Sequence, residues 1–97
     1  NKVLPLEEVS SRFLEKMKEL GKIEELVKVY NIEDYLGEIE IENMENYKIM
    51  EILEKRLGVS KTEENNYDII SMRILKDYRM GKIGKFFLEL PEHFERY

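Results

Sequence analysis

The stretch Tyr67-Asp68-Ile69-Ile70-Ser71-Met72-Arg73-Ile74-Leu75-Lys76-Asp77-Tyr78-Arg79-Met80-Gly81-Lys82-Ile83-Gly84-Lys85-Phe86 decides how this chain is read. On a helix turning about 100° per residue, Tyr67, Ile70, Ser71, Ile74 and Tyr78 cluster on one side, while Arg73, Lys76 and Arg79 spread over the other. Core and charge are separated, so the spacing predicts an amphipathic helix starting near Asn66 or Tyr67 and ending by Gly81. A basic residue recurs every third position from Arg73, and Lys82 and Lys85 carry the charge into a glycine-bearing turn. There, flexible backbone would let amide groups and ammonium heads approach a phosphate together. Ile69 and Met72 also fall toward the charged side, where they would contact a partner or meet an apolar tail, Phe86-Phe87-Leu88-Glu89-Leu90, closed by Pro91.

Upstream, the same periodicity predicts three more helices. The first runs from about Leu6 or Glu7 to Leu20, with Val9, Phe13, Met17 and Leu20 on one stripe and Leu6 and Leu14 beside it; Pro5 suits its start and Gly21 its end. A shorter one from about Ile23 to Tyr30 sets Ile23, Leu26, Val27 and Tyr30 on a buried face, and Asn31 ends it. Between Asn31 and Glu42, Ile32, Tyr35 and Leu36 keep helical spacing while Ile39-Glu40-Ile41 alternates like a strand, which reads as a helical turn followed by an extended linker. Asn43 would cap a third long helix reaching Leu57, with Met50, Leu53 and Leu57 inward, Tyr47 or Met44 extending that stripe, and Gly58 as its stop. Residues 60–66 read as a polar loop. The expected fold is one all-α domain, a compact bundle of about four helices with a short extended C-terminal tail.

Charge is unevenly distributed. Residues 1–64 hold ten Lys/Arg against sixteen Asp/Glu, whereas residues 73–85 hold five Lys/Arg against Asp77 alone. A basic face on an acidic body suits a defined docking surface for an anion better than sequence-blind coating of nucleic acid. The 97 residues suffice for a single core, and no run approaches the roughly 18 apolar residues of a membrane span. The first residues lack the pattern of a signal peptide, so the expectation is a soluble, cytoplasmic chain with no membrane partner. Without cysteine there is neither a disulfide framework nor a thiolate metal site, and His93 has no second imidazole to share a metal.

Motifs for chemistry are weak. Gly81-Lys82 and Gly84-Lys85 imitate the end of a nucleotide-binding loop, but the glycine five residues earlier and the hydroxyl after the lysine are replaced by Lys76 or Arg79 and by Ile83 or Phe86. Glu38, Glu40, Glu42 and Glu45 lack calcium-loop spacing and read as solvated charge. His93 with Glu92 or Glu95 has no nucleophile beside it. No catalytic residue and no metal ligand is therefore assigned. Most of Tyr30, Tyr35, Tyr47, Tyr67 and Tyr78 sit on core stripes; Tyr67 and Tyr78 are the aromatics nearest the basic helix, where they would be placed to touch bases.

The wording of the chain adds a resemblance. Lys2-Val3-Leu4-Pro5-Leu6-Glu7-Glu8-Val9 with Phe13-Leu14, then Tyr30-Asn31-Ile32, then Asn66-Tyr67-Asp68 and Ile74-Leu75-Lys76-Asp77-Tyr78-Arg79-x-Gly81-Lys82-Ile83-Gly84-Lys85 follow one another in order. This succession resembles the C-terminal domain of the ribosome biogenesis GTPase A (YlqF/RbgA) family of circularly permuted GTPases. The chain departs from the family at Thr62-Glu63-Glu64-Asn65, where members often carry a glycine pair. The resemblance implies an ANTAR-like, RNA-binding helical module acting in large ribosomal subunit assembly, with ribosomal RNA, the subunit precursor and its own GTPase domain as partners. It also implies that GTP and magnesium belong to a G domain absent from this chain, and that this fragment is not itself an enzyme. By the same analogy Arg73, Lys76, Arg79, Lys82 and Lys85 are the phosphate-contacting candidates. The alternative is a protein-interaction module docking on its own GTPase domain or on ribosomal proteins through Ile69, Met72 and the apolar tail.

Overall fold

The computed structural model describes residues 4–59 and 66–84. They form α1 (Leu6–Glu19), α2 (Glu24–Tyr30), α3 (Glu33–Leu36), a 3-10 turn (Ile41–Asn43), α4 (Asn46–Leu57) and α5 (Asn66–Arg79). The expected all-α bundle is what is found, and no strand occurs among the described residues. The expected C-terminal tail, His93 and the loop at 60–65 lie outside the described residues. Helix α5 packs chiefly against α1 and α4, and α2 closes the bundle over α4 and the 3-10 turn.

Four helices end by one local device. After α1, Gly21 takes a left-handed conformation (φ 67°), the Lys22 amide donates to Met17 O at 2.7 Å, and the Gly21 amide donates to Lys18 O at 3.0 Å. After α5, Gly81 (φ 76°) repeats this, with Lys82 N donating to Asp77 O at 2.8 Å and Gly81 N to Tyr78 O at 2.9 Å. These paired bonds satisfy carbonyls that a helix end otherwise leaves open. Asn31 and Gly58 end α2 and α4 in the same left-handed region. In each case the chain then turns an aliphatic residue inward: Ile23 and Ile83 are buried, Ile32 is buried, and Val59 packs against the core.

The core collects Val9, Phe13, Leu14 and Met17 from α1, Leu26, Val27 and Tyr30 from α2, Ile49, Met50, Ile52 and Leu53 from α4, and Ile70, Ile74 and Leu75 from α5. Four expectations need correction. Leu20, the residue at the C-cap of α1, is 49% exposed because the chain has already begun to turn away from the core. Tyr47 is 65% exposed, and Met44 rather than Tyr47 extends the inward stripe of α4. Asn43 does not cap α4: it ends the 3-10 turn, and α4 starts at Asn46 after an extended Glu45 whose carbonyl accepts from Lys48 N and Ile49 N. That later start is tied to α1, since Lys18 Nζ donates to Met44 O at 2.7 Å and to Asn46 Oδ1 at 2.8 Å. Ile39 is exposed and Ile41 buried, so the two do not share a face as a strand would require, and Ile41 opens a 3-10 turn where an extended linker was expected.

Candidate nucleic-acid interface on α5

Ser71 orients α5 against α1. Its hydroxyl donates to Ser10 Oγ at 3.0 Å, and Ser10 in turn donates to Glu7 O at 3.1 Å, both serines being fully buried. This hydrogen-bonded pair replaces water for two hydroxyls that burial would otherwise leave unsatisfied. With Ile70, Ser71, Ile74 and Leu75 turned inward, Arg73, Lys76, Arg79 and Lys82 stand exposed on the outer side, as the helical wheel predicts. Lys85, the fifth cation of the series, lies outside the described residues.

The outer face is mixed. Ile69 is 40% exposed, Met72 49% and Met80 58%, so three apolar side chains share the surface with the cations. Met80 was not singled out by the sequence pattern; its position four residues after Lys76 and eight after Met72 places it on the same side. The aromatic candidates are half-buried. Tyr78 packs edge-on to Phe13, ring centroids 5.4 Å apart at 62°. The Tyr67 hydroxyl ionises above the ordinary tyrosine range, chiefly because of burial, with a hydrogen bond to the Ser10 side chain opposing the shift.

The Gly81 to Gly84 turn differs in kind from a phosphate loop. The amides of Gly81 and Lys82 are already engaged with Tyr78 O and Asp77 O, and the helix presents its carbonyl end here. What the turn offers an anion is therefore side-chain charge, and Lys76, Arg79 and Lys82 also balance the negative end of the helix dipole.

A buried polar cluster lies directly under the basic face. Asp77, 5% exposed, accepts a hydrogen bond from Tyr30 Oη at 2.8 Å and from Arg73 Nε at 2.9 Å, both at Oδ2. Burial first, and then the neighbouring Asp77 carboxylate, push the Tyr30 hydroxyl far above its usual range, which keeps it a proton donor. Sequence reasoning missed this cluster. Its visible trace is the i,i+4 spacing of Arg73 and Asp77, whereas nothing local announces Tyr30, 47 residues away.

Elsewhere, Glu38, Glu40, Glu42 and Glu45 are all exposed, and Glu24, Glu33, Glu38 and Glu40 rim a shallow groove of about 340 Å³ floored by Val27 and Leu36. Among the described residues, no three carboxylate or imidazole groups converge on a metal-sized site, and no helix is long and apolar enough to cross a membrane. Compared with known proteins, the chain matches no protein-family model, no curated protein and no solved structure.

Proposed function

We propose that this chain is an RNA-docking accessory domain, placing a ribosome biogenesis GTPase on the maturing large ribosomal subunit in the cytoplasm. The observation that carries the reading is the exposed quartet Arg73, Lys76 and Arg79 on α5 and Lys82 in the turn after it, on an otherwise acidic protein. The GTPase and ribosome part rests on the resemblance of the closing motif, under which GTP and magnesium are handled by a separate G domain. In this reading the bundle acts as a rigid mount: α1 and α4 fix the inner face of α5, and the outer face neutralises phosphates of ribosomal RNA.

Five phosphate contacts, with Lys85 included, correspond to a log-log salt slope of roughly −3.5 on single strands to −4.5 on duplex. Charge reversal at Arg73, Lys76 and Arg79 is expected to weaken binding to large-subunit rRNA or precursor particles while the helical circular dichroism persists. Undiminished binding by that triple variant rejects the assignment of this surface.

The exposed apolar trio Ile69, Met72 and Met80 favours a second reading, a protein-docking face for the domain's own GTPase half or for ribosomal proteins. Salt separates the two, because an apolar contact changes little over a range in which phosphate contacts fall steeply.

A further inference from the structure

We propose that Asp77 and Tyr30 are positioning residues that hold Arg73 as an oriented fork for one phosphate of the RNA. The inference rests on the RNA-docking reading and adds which cation makes the directional contact and what aims it.

Arg73 is anchored through Nε alone, at 2.9 Å from Asp77 Oδ2. Its side chain is 54% exposed, and its two terminal amino groups make no hydrogen bond or ion pair with any described residue. A guanidinium held at Nε leaves its end-on edge, one N–H from each Nη, clear of the anchor, and that edge can grip two oxygens of a phosphate at once. The anchor is itself fixed, since Asp77 is 5% exposed and receives the Tyr30 hydroxyl at 2.8 Å from the other side. Three groups from α2 and α5 thus form a chain, Tyr30 to Asp77 to Arg73, whose inner members are buried and whose outer member faces solvent. Lys76 and Lys82 are point charges on flexible stems and cannot impose such a direction. An ordered fork also loses less side-chain freedom on binding than an unanchored one.

The sign of one substitution separates aiming from bulk charge. Asp77→Asn removes a negative charge beneath the basic face, so general electrostatics predicts tighter RNA binding. Loss of aim predicts weaker binding. The test measures affinity for a labelled large-subunit rRNA fragment with wild type, Tyr30→Phe, Asp77→Asn, Arg73→Lys, Arg73→Ala and the pair Arg73→Ala/Asp77→Asn, each checked for a dispersed amide NMR spectrum.

Tyr30→Phe and Asp77→Asn are expected to weaken binding by roughly 2- to 10-fold, the range for ordering one long side chain. In the Arg73→Ala background the Asp77→Asn change is expected to reverse sign and strengthen binding. Arg73→Lys alters an exposed side chain and retains its charge, so it reads the fork even where a buried variant unfolds; it too is expected to lose roughly 2- to 10-fold. Folded Asp77→Asn binding as tightly as wild type or better, or Arg73→Lys matching wild type, overturns the fork while leaving RNA docking in place. Failure of the wild type to bind the rRNA overturns the underlying reading and the fork with it.

Discussion

Replacing Ile83 with alanine tests whether the Gly81-Lys82-Ile83 turn belongs to the core. Ile83 is fully buried although it follows α5, and the turn that delivers it is held by Lys82 N to Asp77 O at 2.8 Å. Truncation removes three carbons from water-excluded surroundings, about 2.4 kcal/mol at ~0.8 kcal/mol each, before any residual cavity is counted. Incomplete collapse brings the expected loss to roughly 2.5–4 kcal/mol. Urea unfolding followed at 222 nm reads it directly: with a slope of about 1–3 kcal/mol/M for a domain of this size, the midpoint drops by roughly 1–4 M at unchanged slope. Ile23→Ala, at the matching position after α1, is the internal control and is expected to lose a similar amount. Lys82→Ala, on an exposed side chain, is expected to stay within about 0.5 kcal/mol. A loss below about 1 kcal/mol at Ile83, with Ile23 behaving as expected, refutes the view that this turn is a core-anchored helix stop.

The remaining predictions concern the buried polar contacts. Ser10→Ala strips a partner from the buried Ser71 hydroxyl and is expected to cost about 1–3 kcal/mol, and the double Ser10→Ala/Ser71→Ala variant less than the sum of the singles; additive losses would show that the two hydroxyls do not depend on each other. Tyr30 ionises higher in the fold than in the unfolded chain, so its contribution is complete below about pH 10 and declines as pH rises toward the folded value. The urea midpoint of the wild type is therefore expected to fall more steeply above about pH 10 than that of Tyr30→Phe, and parallel pH profiles would contradict this.

Much of the fold is readable locally. Pro5, Gly21, Asn31, Gly58 and Gly81 bracket the helices where the chain places them, because a start or a left-handed stop depends on residues within a turn or two. The stripe on α2 was correct residue by residue. On α4 the reading was too narrow, since Ile49 and Ile52 are buried along with Met50 and Leu53; a helix contacted by α1, α2 and α5 needs a wider apolar arc than one stripe. Asn43 was a poor guide because a good capping residue also serves at the end of a 3-10 turn, and the tether from Lys18 set where α4 begins.

The sequence by itself determined that the described residues are helical, where most of these helices stop, and that charge gathers on the outer side of α5, because periodicity and turn chemistry act within a few residues. Tertiary structure decided the rest. It engaged the amides of Gly81 and Lys82 with α5 carbonyls, so that the turn offers an anion side-chain charge and not those amides, and it set Tyr67 and Tyr78 half into the bundle. It also brought Tyr30 under Asp77 and Ser10 against Ser71 across 47 and 61 residues. Pairings at that separation leave no periodic trace, since they arise from the angle at which two helices meet. That angle determines which cation on the surface has a buried partner to aim it.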